Sequence, residues 1–311
     1  HLASQLTTKA SWSKQRGKTM KIQMTTLAAA ISFSISGAAL ANADVDQLND
    51  NLNDVSVVTI NDPAGVTINT QQNGSGNSAI VFQANGSTAD SRVFQDSQDS
   101  IAGVYQEGSN QYSDVDQQIT QSGVAGVAQF GSDQRSRIQQ NGADNSYAGV
   151  LQDGSSNDAF ISQANVGGAA ENNVAGIFQD GTDNRSGIRQ LSSDNIALAA
   201  QLGSLNESYI VQRSGSGLGQ EAYSLQNGTG NESEIIQGSQ GTTTNNIAYL
   251  TQVGDYNESF ITQDGSTGNF TATVTQIGDT NYSLVDQLGA NNGTATVTQT
   301  GNSNTAYSYQ Y

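Results

Sequence analysis

The sequence has no cysteine, and its 311 residues include one proline, one histidine, one tryptophan and two methionines. The histidine, the tryptophan, both methionines and all four lysines fall within the first 43 residues. A chain without Cys, His or Lys beyond that point has no thiol nucleophile, no histidine-based triad and no zinc site of the usual kind. It also has no disulfide framework, even though its leader reads as an export signal. Positive charge is scarce: after residue 43, six arginines face 28 acids, a net charge of −22. That balance argues against nucleic-acid binding, which needs a basic surface. It weakens any attraction to anionic lipid as well. Long apolar runs are missing, and the one apolar stretch, residues 27–40, is too short to span a membrane.

That stretch has the plan of a secretory signal. Met20-Lys21 gives a basic start, the apolar core follows, and Ala41-Asn42-Ala43 is an A-x-A cleavage site before Asp44. The expected organisation is an upstream leader at 1–19, a signal peptide at 20–43, an acidic segment at 44–71 and a repeat region at 72–311. The acidic segment holds two short strand candidates, 55–60 and 66–70, around the turn signal Asp62-Pro63-Ala64-Gly65. It reads either as a cap on the first coil or as a flexible export-targeting tail.

The repeat region is built from one unit, seen clearly in Gln252–Gln263, QVGDYNESFITQ. Gly254 and Asn257 are residues that tolerate positive φ in a turn. Strict alternation follows, with Asn257, Ser259, Ile261 and Gln263 on one side and Glu258, Phe260 and Thr262 on the other. Period two marks a half-buried strand. Twenty such units close on glutamines from Gln83 to Gln310. Two residues before the closing glutamine, seventeen of the twenty positions are Val, Ile or Leu; the exceptions are Ala199, Ser224 and Ser308. Four residues before, all twenty are Ala or Ser, and six before, Asn dominates. None of these same-side positions is charged, so this side is expected to be sequestered.

Units alternate in kind. One kind carries Ala at the small position in all ten copies, and the other carries Ser in eight of ten, with Ala159 and Ala306 as exceptions. Extra length falls in the turns of the Ala-type units. The outward positions of Ser-type units hold most charges, such as Arg92, Arg137, Glu232 and Glu258, whereas those of Ala-type units are nearly uncharged. The expected fold is all-β, a two-arc β-solenoid of about ten coils. Inward rows are expected to stack as ladders at about 4.8 Å, with side-chain amides bonded along the stack. The glutamine rows include Gln83, Gln106, Gln152, Gln163, Gln190, Gln201, Gln212, Gln237, Gln252, Gln263, Gln287 and Gln310. The asparagine row is Asn157, Asn184, Asn206, Asn231, Asn257, Asn281 and Asn304, and the aliphatic rows include Val104, Ile161, Ile210, Ile261 and Val285.

The pattern Gln-x-Gly-x2-Asn-x-Ala/Ser-x3-Gln over 72–310, with the closing Gln310-Tyr311, resembles the curlin repeat of bacterial curli fibre subunits. The resemblance implies an extracellular functional amyloid, secreted unfolded through an outer-membrane pore and templated by a nucleator subunit. The partners it implies are other copies of the chain, that nucleator and that pore. Ten coils, Ser in alternate arcs and turns without Gly (Ser97, Thr120, Ser192) depart from the familiar pattern, so major and nucleator subunit both stay open.

No cofactor, metal site or catalytic residue is expected. The acid pairs Asp114/Asp116 and Glu232/Glu234 read as solvated outward charges rather than as acid–base pairs. The turn acids Asp180, Asp183, Asp255 and Asp279 lack the spacing of calcium-binding repeats. Two threonine ranks, Thr271-Ala-Thr273-Val-Thr275 and Thr294-Ala-Thr296-Val-Thr298, support an alternative reading as a monomeric binder of ice or glycan. The last unit keeps the motif, so its strand is expected to offer an open edge for another copy.

Overall fold

The structure is a computed structural model that describes residues 43–51, 53–60, 66–84, 88–164, 171–213, 219–238, 245–265, 269–289 and 292–311. The signal-peptide reading, apart from Ala43, lies outside the described residues. Alternating polar and apolar residues give strands throughout, and no helix occurs among the described residues. The first strands are β1 (Ala43–Asn51), β2 (Asp54–Ile60), β3 (Thr67–Ser75), β4 (Ser78–Ala84), β5 (Asp90–Gln98), β6 (Ile101–Ser109), β7 (Tyr112–Gln121) and β8 (Val124–Ser132). The middle of the chain forms β9 (Arg135–Asn141), β10 (Tyr147–Ser155), β11 (Asp158–Ala164), β12 (Val174–Thr182), β13 (Arg185–Gln190), β14 (Ile196–Ser204), β15 (Glu207–Gln212) and β16 (Glu221–Thr229). The last are β17 (Glu232–Gln237), β18 (Ile247–Val253), β19 (Glu258–Gly265), β20 (Phe270–Ile277), β21 (Tyr282–Gly289), β22 (Gly293–Thr300) and β23 (Thr305–Gln310).

Odd-numbered strands form one parallel sheet and even-numbered strands a second, twelve and eleven strands respectively among the described residues. Each strand pairs with the strands two before and two after it, which is the connectivity of a two-arc β-solenoid. Ser-type units build the odd sheet and Ala-type units the even one. Pairing is in register: Ile261 meets Ile235 and Val285, and Gln152 meets Gln129 and Gln179. The sheets also run upstream of residue 72, where β1 pairs with β3 (Gln47 with Gln72) and β2 with β4 (Thr59 with Gln83).

The uncharged faces meet in a narrow core. Val104, Ile161, Ile210 and Val285 are fully buried and Ile261 is 1% exposed. Each such side chain contributes about 1.5–3 kcal/mol on burial, so a single coil is marginal and its neighbours are needed. Where the aliphatic row is broken, a polar device replaces it. The Ser224 hydroxyl bonds Ser208 at 3.0 Å and Ser233 at 2.8 Å, and Ser233 donates to Ser208 at 3.0 Å, a closed triangle of buried hydroxyls.

The turns from the even to the odd sheet are short from β6 onward and carry stacked glycines. Gly254 has φ +118°, and a Cβ there would meet the Gly278 carbonyl oxygen at 2.3 Å. The second turn residue differs from expectation. Tyr256, not Asn257, holds the left-handed position, with φ 55°. Asn257 is instead extended into the ladder, because its amide is worth more as an axial hydrogen-bonding group than as a turn former. The longer insertions, such as 165–170, 214–218 and 239–244, all connect an odd-sheet strand to the next even-sheet strand.

Candidate assembly site: the axial ladders and their ends

Two glutamine ladders run from β3 and β4 to the C-terminal end of the solenoid. In the even sheet, Gln83, Gln106, Gln129, Gln152, Gln179, Gln201, Gln226, Gln252, Gln276 and Gln299 are linked by Nε2–H···Oε1 bonds of 2.7–3.0 Å. In the odd sheet the same bonds, 2.7–3.0 Å, connect Gln72, Gln95, Gln117, Gln140, Gln163, Gln190, Gln212, Gln237, Gln263, Gln287 and Gln310. Every amide donates toward the C-terminal end. The second amide proton reaches a backbone carbonyl of the opposite sheet, as from Gln152 to Arg135 O at 2.9 Å and from Gln226 to Glu207 O at 2.8 Å. Each glutamine thus ties its ladder to the facing sheet. A buried amide without such partners would carry a large desolvation cost.

The asparagine ladder runs the other way. Asn184, Asn206, Asn231, Asn257, Asn281 and Asn304 each donate Nδ2–H to the Oδ1 of the preceding asparagine, from Asn157 onward, at 2.9–3.2 Å. The same Oδ1 atoms accept the next backbone N–H, as from Asn257 N to Asn231 at 3.0 Å. The Nδ2 groups also hold the glycine turn of the following coil, as from Asn231 to Gly254 O at 2.7 Å. Of the glutamines, asparagines and aliphatic residues singled out in the sequence, only Asn304, just before the edge strand β23, and Gln310, on it, are not buried.

Interruptions in these columns leave polar atoms without partners. Gln111 and Gln134 stand in the asparagine column, one methylene too long, and their Oε1 atoms are buried and unpaired. Ala159 breaks the serine column in register between Ser136 and Ser186, whose hydroxyls are both orphaned. Phe270 fills an asparagine position of the even sheet and is 1% exposed; in the same column the Asn246 Nδ2 and the Gln220 Oε1 before it are unpaired. Sequence reasoning passed over Phe270. The signal was available in Gly293, one strand on, where a Cβ would come within 3.2 Å of the Phe270 ring.

Outside, the strands of the odd sheet carry more charges than those of the even sheet. Asp114 corrects one expectation: it is 6% exposed rather than solvated. It stands in register between Arg92 and Arg137, and Arg137 Nε is 3.6 Å from its carboxylate. Arg185 lies 3.9 Å from Glu207 and stacks over Tyr209. Further on, Glu207, Glu232 and Glu258 are consecutive in register. Burial, then the Glu258, Glu207 and Glu234 carboxylates, raise the Glu232 carboxyl above its ordinary value. On the even sheet, burial and the hydrogen bond to Glu107 (2.9 Å) push the Tyr105 phenol up to about 12. The turn acids Asp255 and Asp279 accept backbone N–H groups of the preceding coil, from Thr229 at 2.8 Å and from Asp255 at 3.0 Å. They act as axial caps of the turn. No cluster of three acids positioned to hold a metal occurs among the described residues.

The two ends of the stack differ. At the N-terminal end the ladders stop on acceptors, the Gln72 and Gln83 Oε1 atoms, both buried and unpaired. At the other end, Gln299 Nε2 bonds Tyr282 O and Gln310 Nε2 bonds Thr294 O, each leaving a proton directed to no further glutamine. No curated protein matches the chain significantly. Residues 269–294, from the start of β20 to the start of β22, match the family model described as the curlin associated repeat. The chain thus carries a segment similar to the curlin associated repeat within a parallel β-solenoid.

Proposed function

We propose that the chain is a secreted structural subunit that polymerises end to end into extracellular, curli-like functional amyloid fibres serving biofilm matrix and cell adhesion. Fold and repeat point to a structural protein rather than an enzyme. The observation that carries the reading is the pair of unbroken, one-directional glutamine ladders, which end on acceptors at one end and on donors at the other. Cross-β stacking satisfies such groups by adding another copy. The net charge of −22 beyond residue 43 opposes sideways association while leaving the ends open to stacking. A nucleator subunit and an outer-membrane secretion pore are the further partners this reading requires.

A second reading rests on the threonine ranks of β20 and β22, where Thr271, Thr273 and Thr275 lie in register with Thr294, Thr296 and Thr298. A monomer binding ice or glycan through this patch would use two strands of the even sheet. Electron microscopy of the purified protein, with fibre diffraction and seeded growth, separates the two. Filaments with a 4.7–4.8 Å axial reflection and a lag shortened by seeds are expected. Protein that stays monomeric for days when seeded at tens of micromolar (roughly) overturns the fibre reading.

A further inference from the structure

The odd sheet has twelve strands and the even sheet eleven among the described residues, and that inequality bears on how copies stack. A filament in which each sheet of one copy continues into the same sheet of the next needs equal numbers of odd-sheet and even-sheet strands per copy. With unequal numbers, one sheet closes while the other is left with a gap. At the N-terminal end, the balance is restored by losing β1 alone or by losing β1, β2 and β3 together.

The columns distinguish these two solutions. In β2, Val55, Val57 and Thr59 stand in register with Ala79, Val81 and Gln83. In β3, Ile68, Thr70 and Gln72 stand in register with Ser91, Val93 and Gln95. β2 therefore brings a threonine where the ladder needs a glutamine, and β3 brings isoleucine and threonine where it needs a small residue and an aliphatic one. Three unpaired buried atoms lie at this junction: Thr70 Oγ1, Gln72 Oε1 and Gln83 Oε1. The β4 column matches that of β22, where Ala295, Val297 and Gln299 repeat Ala79, Val81 and Gln83; in β23, Ala306 gives a small residue and Gln310 repeats Gln95, while Ser308 stands where β5 has Val93.

We propose that β1–β3 form a detachable cap on the acceptor end of the solenoid, and that its competitor is the β22–β23 edge of a second copy. With the cap displaced, β22 docks on β4 and β23 on β5. Gln299 then donates to Gln83 and Gln310 to Gln95, and both ladders cross the junction without a break. Loss of β1 alone would set Gln299 against Thr59 and leave Gln83 Oε1 unpaired. The cap makes the acceptor end slow to react until its strands peel away, so it regulates assembly from within the chain. This inference rests on the fibre reading above.

Hydrogen exchange read by mass spectrometry, on monomer and on fibres, tests it. In fibres, amides of 43–75 are expected to exchange nearly as fast as unfolded chain, while those of 78–98 and 293–310 are protected. Thr59→Gln, which places an amide in register with Gln83, is expected to lengthen the lag at least threefold and to slow exchange of 43–60 in the monomer. Fibres in which 43–75 is protected as strongly as 78–98 overturn the cap, as does a Thr59→Gln lag equal to that of the unsubstituted protein. If the unsubstituted protein forms no fibres, the fibre reading fails separately. The cap is then judged in the monomer, where exchange of 43–60 as slow as that of 78–98 overturns it and faster exchange that Thr59→Gln slows supports it.

Discussion

The odd sheet holds two regions that solve opposite halves of the same problem. In β5–β9 the outer surface is balanced, with Asp114 in register between Arg92 and Arg137, while the inner column contains Gln111 and Gln134 with unpaired oxygens. In β15–β19 the inner column is complete, Asn206 to Asn231 to Asn257, while the outer surface stacks Glu207, Glu232 and Glu258 on one another. Period two separates the faces so fully that each accumulates defects independently. The difference teaches that a solenoid coil tolerates a fault inside or outside, provided the neighbouring coils hold the register.

A charge placed inside should erase the distinction and give the largest effect. Ile138→Asp and Ile261→Asp are each expected to cost about 3 kcal/mol or more, because either carboxylate would be buried without a partner. Thr262→Asp, one residue along and facing outward, should stay within about 0.5 kcal/mol. Urea melts and thioflavin-monitored assembly check this, and equal effects at 261 and 262 would refute the assigned inward face. Next come the glycine turns, which both regions share. Gly131→Ala and Gly254→Ala place a Cβ 2.0 and 2.3 Å from the carbonyl oxygens of Gly154 and Gly278 at strongly positive φ. Each should cost about 1–3 kcal/mol, read as a lower urea midpoint.

Neutralising one acid in each region sharpens the comparison, because the signs should be opposite. Asp114→Asn leaves Arg92 and Arg137 facing each other across a neutral amide and is expected to destabilise by about 1 kcal/mol at pH 7. Glu232→Gln removes a like-charge contact and is expected to stabilise by about 0.5 kcal/mol at pH 7. The folded carboxyl of Glu232 is raised above its ordinary value of 4.5, so the folded state holds its proton to higher pH than the unfolded chain. Stability from this group is therefore greatest below the unfolded pKa and is lost as pH rises through the folded one. The advantage of Glu232→Gln should vanish by about pH 4, as urea midpoints across pH 3–7 would reveal. The smallest effect should come from repairing the boundary between the two regions. Ala159→Ser places a hydroxyl in register between the orphaned Ser136 and Ser186, for a gain of about 0.5 kcal/mol in the same melts.

Much of this architecture is legible in the residues because the signal repeats. Gln252-x-Gly254 and the alternation from Asn257 to Gln263 recur often enough to give the two arcs, the inward face and the residues of the ladders. What stays hidden is whatever occurs once. Ala43, Val45 and Gln47 follow the spacing of the repeat and pair in register with Ile68, Thr70 and Gln72, but a single copy apart from the repeat region carries no weight in sequence. Burial of Asp114 depends on arginines 22 and 23 positions away, a separation that only the coil length brings together. The left-handed residue at Tyr256 is invisible for a different reason, since its column admits Asn110, Asp133, Ser156, Leu205 and Thr280 alike. There the conformation is imposed by the flanking strands rather than by the residue.

The connections between strands have a consequence of their own. Turns from the even to the odd sheet are held short by stacked glycines, whereas 165–170, 214–218 and 239–244 all fall on the opposite connection. One flank of the rod is therefore a uniform spine, and the other is a row of sites where chain length is free to vary. Because neighbouring coils are spaced by about 4.8 Å, peptides grafted at several of these sites would be held like teeth on a comb at fixed, near-molecular intervals. A polymer of such rods would multiply them into a high-valency array, in which weak individual contacts combine into strong avidity for a repetitive surface.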